Sequence, residues 1–157
     1  WMGMEWLIVK KPSALGFASG IIAGLGAVTP ASGFVSPGCA MIIGVVAGAL
    51  CFYGVRVKLA LNYDDSLDVV GVHGVGGAWG TLATGLFATA GAAGLTAGNP
   101  KQLQIQAIGV IAVTLYCLAA TYVIAYVLEK TIGLRVGVDE EIAGLDQEIH
   151  GEVGYSI

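Results

Sequence analysis

The stretch Tyr63–Gly80, YDDSLDVVGVHGVGGAWG, sets three carboxylates, Asp64, Asp65 and Asp68, just before an uncharged run that holds one histidine, His73. From 69 to 100 the chain carries no Asp, Glu, Lys or Arg. That is enough for a membrane span of roughly 20 residues and a loop. An ionisable group at membrane depth costs about a few kcal/mol or more and usually faces a cavity or a neighbouring helix. His73 is therefore the first candidate for function. The competing reading is a neutral histidine that hydrogen-bonds another helix as packing glue.

Composition agrees with a membrane setting. The chain has 157 residues, 56% apolar and 11% charged, with a mean hydropathy of +0.81. A soluble domain carries about 25% charged residues. The expected class is an all-α integral membrane protein. Glycine, at 25 residues, is about twice its ordinary share, and it is common where membrane helices pack closely. The net charge of −4 reflects acids gathered near the C-terminus, so it describes the tail and gives no reason to expect a nucleic-acid partner. Cys39, Cys51 and Cys117 all lie in apolar runs without a Cys-x-x-Cys pair. This argues against a disulfide frame or a zinc site and for small buried thiols. No cofactor or metal is implied.

The spans follow from charge and punctuation. The opening WMGMEWLIV, residues 1–9, is too short to cross a bilayer at about 1.5 Å per residue. It does not read as a signal peptide. It reads as the end of a span that begins before Trp1, so the chain is expected to be the C-terminal part of a longer protein. Between Lys11 and Arg56 no residue is charged, and Pro and Gly break the run at Thr29–Gly33 and Ser36–Gly38. Spans are expected at 13–28 and 37–55, with a short connection from Arg56 to Asn62. Gly16, Gly20 and Gly24, then Gly44 and Gly48, repeat every four residues, a spacing that lets helix backbones approach. A fourth span is expected at 66–90, capped by Asp64 or Asp65, and a fifth at 102–128. The tail, 133–157, has no apolar run of span length. With its acids and glycine breaks it cannot bury enough surface to fold alone.

Lysines and arginines set the orientation. Lys10 and Lys11 follow the first span, Arg56 and Lys58 the third, and Lys130 and Arg135 the fifth. All six fall on one side if the spans alternate, which makes that side and the C-terminus cytoplasmic.

The motif DDSLDVVGVHGVGG, Asp64 to Gly77, resembles the signature of the ammonium transporter (Amt/Mep/Rh) family. AVTPASGFVSP, Ala27 to Pro37, resembles a loop of that family. GLRV, GLD and HGE-x-x-Y, the last ending at Tyr155, resemble the cytoplasmic tail of its bacterial and archaeal members. The resemblance covers nearly the whole chain and only the C-terminal part of a member. It implies a fold of eleven spans, of which this chain would supply about four and a half, and a homotrimer with one pore per subunit in the cell membrane. It implies that His73 is the second of two histidines that share a hydrogen bond at mid-pore. By the same resemblance Val69, four residues earlier, lines the pore. Asp65 and Asp68 are structural or electrostatic, and Gly74, Gly76 and Gly77 let helices crowd beside the pore. In the tail, Gly133, Gly144, Asp146 and His150 match the family pattern, which implies a PII-type signalling protein as a partner. Plant members carry a phosphorylatable Thr where this chain has Glu148, so phosphate control at that site is not expected.

The expected function is then ammonium transport for nitrogen utilisation. Ammonium would be deprotonated and ammonia passed through an apolar pore past the histidine pair. The alternative is an ammonium sensor of the same fold. A third class, an intramembrane metalloenzyme built on His73, Asp65 and Asp68, is disfavoured. Metal ligands on one helix face sit three or four residues apart, and these lie five and eight from His73. The chain is not expected to be an enzyme.

Overall fold

The computed structural model describes residues 1–154; Tyr155 of the tail motif lies outside them. Among the described residues all regular structure is helical. The elements are α1 (Met2–Met4), α2 (Ala14–Val28), α3 (Pro37–Leu61), α4 (Val75–Phe87), α5 (Pro100–Thr131) and α6 (Val138–Ala143). Widened π turns cover Glu5–Val9, Val70–Gly74 and Asp146–His150. Three helical stretches are long and apolar enough to cross a membrane: Ala14–Ala31, Pro37–Leu61 and Pro100–Thr131. The chain divides into two compact units, Trp1–Val113 and Thr114–Ile157.

In the first unit α2, α3 and α4 pack against one another. Their shared core is built from residues spaced by four. Ala23, Ala27 and Ala31 come from α2 and its continuation, and Ile43, Ala47 and Cys51 from α3; each is fully buried. Alanine stripes of this kind bring backbones close, as glycine stripes do. The glycine repeats expected to do this work have other neighbours. A Cβ on Gly16 would strike the Glu5 carboxylate, and one on Gly20 or Gly48 would strike Trp1, while Gly24 and Gly44 meet nothing within 4 Å. Within this chain the glycine faces of α2 and α3 receive the first segment, and the alanine faces receive each other.

The caps explain the boundaries. Ser13 accepts from the Gly16 N–H at 2.8 Å and starts α2. Its own N–H donates to Glu5 at 2.7 Å, which ties the first segment to that helix start. Ser36 and Pro37 open α3, proline at the first turn losing no needed donor. The third helix, expected to stop at 55, continues to Leu61, so Arg56 and Lys58 are helical rather than part of a connection. It ends at Asn62, whose left-handed φ of 52° lets its N–H close on Lys58 O; asparagine tolerates that conformation. The fourth helical stretch runs from 69 to 87 rather than 66 to 90. Ser66 and Leu67 form a turn, and Asp68 takes a left-handed φ of 56° that delays the helix. The fifth begins at Pro100 and ends at Thr131, longer at both ends than 102–128.

The loops 29–36 and 88–99 meet at one end of the first unit. The Phe34 carbonyl accepts the N–H groups of Thr89 and Ala90, at 2.8 and 3.2 Å. In the second unit α5 closes on Gly133, whose φ of 79° suits glycine and whose N–H reaches Leu128 O at 3.0 Å. Such a left-handed glycine is a common helix stop. Beyond it, Arg135 pairs with Glu141 of α6.

Candidate functional site around His73

His73 sits in the π turn Val70–Gly74, between the Asp65–Asp68 turn and α4. The sequence builds this turn from small and β-branched residues, VGVHG, and a single π turn inside a helix frequently marks a functional site. Two contacts hold it against α3. Gly71 meets Gly54 and Val55 so closely that a Cβ on Gly71 would lie 2.8 Å from the Val55 N. The Cys51 thiol donates to Val72 O at 3.4 Å. Val72 is buried, and the next residue, His73, is exposed. The imidazole therefore turns away from the α2–α3–α4 core.

The surface it faces is an open cleft of about 260 Å³. Leu15, Ser19 and Ile22 of α2 line one side, and Val72, His73 and Asp68 the other. The lining is mostly apolar, with His73 and Asp68 its ionisable members. Val69, half exposed at 48%, is not among the lining residues. The widened turn that follows it carries one residue more than an α turn, so the four-residue spacing to His73 is not that of an undistorted helix.

The acids differ in what they do. Of the two candidates for the cap, Asp65 presents its carboxylate to the N–H groups of Val69 and Val70, at 2.8 and 2.9 Å. This satisfies orphan donors and meets the positive end of the helix dipole. Asp68 forms an ion pair with Lys58, whose ammonium also donates to Asp65 O at 2.9 Å. Lys58 thus joins the last turn of α3 to the turn that precedes His73.

The glycines divide in the same way. Gly76 faces Cys51 Sγ, where a Cβ would sit at 3.2 Å. A Cβ on Gly74 would meet only Val70 of its own turn, and one on Gly77 would meet nothing within 4 Å. Close approach belongs instead to Gly71 and Gly80; a Cβ on Gly80 would lie 1.9 Å from Ala27 O. By sequence Cys51 reads only as a small buried thiol and Lys58 only as an orienting charge, and Gly54, Gly71 and Gly80 carry no reading of their own. The spacing of Gly76 and Gly80 by four was the available signal for Gly80. Nothing local announced the others.

In the tail, Gly144 adopts φ 104°, and Asp146 opens the π turn that ends in the exposed His150. Asp146 O accepts the Glu152 N–H at 3.0 Å. No cluster of three or more His, Cys, Asp or Glu able to hold a metal occurs among the described residues.

The model of the Ammonium Transporter Family matches residues 1–155. An ammonium transporter of Bacillus subtilis (strain 168) is 46% identical over 99% of this chain and 40% of its own length. One of Aquifex aeolicus (strain VF5) is 48% identical over 100% of this chain and 38% of its own. The chain thus spans about two fifths of the length of these relatives. Among solved structures, Mep2 of Saccharomyces cerevisiae superposes with a TM-score of 0.82 at 34% identity, over 88% of this chain and 34% of that one. A structure described as a sensor Amt protein gives 0.81 at 31% identity, over 96% of this chain and 37% of that one.

Proposed function

This chain belongs to the ammonium transporter family, and from that membership we propose that it forms part of an ammonium-conducting path in which His73 handles the substrate. The observation that carries the proposal is the exposure of His73 on the apolar cleft, on a turn held rigidly from behind. Within this chain the imidazole takes no part in the packing of α2, α3 and α4.

The physical argument is one of desolvation. Ammonium is a small hydrated cation, and moving it bare along an apolar path costs far more than moving ammonia. Such a path favours leaving the proton behind. A neutral imidazole offers one donor and one acceptor. Paired with a second histidine from the spans that complete the parent protein, His73 would hold ammonia and relay its proton. Val69 lies outside the cleft in this chain and would line the path where the completing spans extend it. A potassium ion has no proton to lose and is excluded. Asp65 and Asp68 order the turn that carries the histidine, and Gly76 gives the turn close support.

We extend the proposal to the assembly. The lysine and arginine pattern supports a cytoplasmic C-terminus. Helix α5 buries none of its residues and offers Ile108, Leu115 and Tyr122 to lipid or to other copies in a homotrimer. The tail, with Gly133, Gly144, Asp146 and His150, would dock a PII-type signalling protein.

The test is methylammonium uptake by cells expressing the full-length parent, with and without His73→Ala. Uptake by the parent and its loss in the variant, at equal membrane abundance, is the expected result. Normal selective uptake in the variant sinks the role of His73. A second reading, an ammonium sensor, is favoured by the likeness to a sensor Amt protein. A parent that takes up nothing while its tail responds to ammonium makes that the better reading.

A further inference from the structure

Helix α2 opens on Ser13, whose hydroxyl accepts the Gly16 N–H at 2.8 Å. Where a serine caps a helix in this way, a Glu or Gln three residues on often completes the start, its side chain reaching back to the main-chain N–H of the serine. Here the residue three on is Gly16, which has no side chain to send. The carboxylate comes instead from the first segment. Glu5 accepts the Ser13 N–H at 2.7 Å and the Ser13 hydroxyl at 3.1 and 3.2 Å. It fills the space beside Gly16, where a Cβ would strike it. The main chain of Glu5 is held as well: its N–H donates to Trp1 O and its carbonyl accepts the Lys10 N–H, both at 2.9 Å. Trp1 in turn packs on Gly20, one turn along α2, and edge-on against Phe52 of α3, with ring centroids 5.8 Å apart. The first segment thus grips α2 at two levels. Leu15 and Ser19, each the residue before one of these glycines, belong with Ile22 to the α2 wall of the cleft that His73 faces.

We propose that Glu5 is a positioning residue for transport, whose carboxylate sets where α2 begins and so fixes the α2 wall of the path against His73. The inference rests on the transport reading above. A carboxylate at this helix start also meets the positive end of the helix dipole, and a carboxylate borne by α2 itself would do the same. What Glu5 adds is the tie between the wall and the segment ahead of it. A cap needs only a carboxylate at the helix start; a positioning role needs that carboxylate to come from the first segment.

The experiment uses the full-length parent in proteoliposomes with methylammonium as substrate, and thermal unfolding of the same preparations. Glu5→Ala removes the carboxylate. Glu5→Ala/Gly16→Glu returns one from α2 itself, into the space that Glu5 vacates. The unfolding midpoint is expected to fall in the single variant and to recover in the double. The maximal rate of uptake is expected to fall about tenfold in both, since misplacing a wall by about 1 Å is costly. Uptake that recovers together with the midpoint, at equal protein per vesicle, overturns the proposal and leaves Glu5 a helix cap. Where Glu5→Ala does not insert, or the double variant regains no stability, Glu5→Asp decides. It keeps the charge and both acceptor oxygens but reaches one methylene less far, so the maximal rate should fall several-fold; a parent-like rate overturns the proposal. A parent that takes up no methylammonium overturns the transport reading and this role with it. A transporting parent whose Glu5→Ala variant keeps the parent rate overturns this role alone.

Discussion

The thiol of Cys51 donates to the main-chain carbonyl of Val72, 3.4 Å away, and so ties the middle of α3 to the residue just before His73. The bond is buried, and Gly76 leaves the space that the sulfur fills. The candidate site therefore has its support on the opposite face of the same turn.

Replacing Cys51 tests that support. Cys51→Ala removes both the donor and the volume, and should lower stability by about 1–2 kcal/mol. Cys51→Ser keeps a donor and should cost less. Thermal unfolding of the purified full-length protein in detergent should rank parent, Ser, Ala. Equal loss in both variants would mean that the hydrogen bond contributes nothing and that packing alone matters.

The crossing of α2 and α4 sets a second expectation. A Cβ on Gly80 would lie 1.9 Å from Ala27 O, a backbone atom that cannot step aside. Gly80→Ala should cost about 3 kcal/mol or more and sharply reduce the protein recovered in membranes. Gly77→Ala meets no atom of this chain within 4 Å and should be neutral or gain up to about 1 kcal/mol from helix propensity. A defect in Gly77→Ala as large as that in Gly80→Ala would locate another helix of the full-length protein against that face.

Asp65 caps the helix that carries His73 with two hydrogen bonds. Asp65→Ala orphans both N–H groups and should cost about 1–2 kcal/mol. Asp65→Asn retains one acceptor and loses the charge that meets the helix dipole, so its cost should fall between. Midpoints of thermal unfolding check the order. An alanine variant as stable as the parent would show that water caps the helix equally well.

Trp79 of α4 donates its indole N–H to Ile43 O at 3.0 Å. Trp79→Phe keeps an aromatic ring there and removes the donor, and should lower stability by about 1 kcal/mol. Unfolding in a denaturant series measures this, and an unchanged midpoint would assign the contribution of Trp79 wholly to packing.

Much of the architecture is legible because membrane helices are written in runs of uncharged residues. Residues 12–55 hold no charge, and the Pro–Gly punctuation near 30 and 37 splits them where α2 and α3 part. The ends were harder to read. Arg56 and Lys58 look like loop residues by charge, yet the helix continues through them, because long cationic side chains can reach a surface along their stems. Asp65 was legible as one of two possible caps, since a carboxylate before an apolar run has a simple partner in the helix start. The left-handed turn at Asp68 and the π turn at Val70–Gly74 were not, because both depend on α3 pressing against the chain from behind. The glycine repeats marked a face that the first segment packs on at Gly16, Gly20 and Gly48, while Gly24 and Gly44 meet nothing within 4 Å, since a spacing of four identifies a narrow helix face without naming what covers it.

By itself the sequence determined an apolar all-helical chain, the break between α2 and α3, the acidic start of the helix carrying His73, and the likeness to the ammonium transporter family. These follow from local properties: charge, periodicity and the short-range order of a motif. The tertiary structure decided which way His73 faces, which glycines stand at backbone crossings, and that Lys58 closes on Asp68 across the turn. These depend on atoms distant in sequence meeting at a few ångströms, and only the packing of one helix against another brings them together.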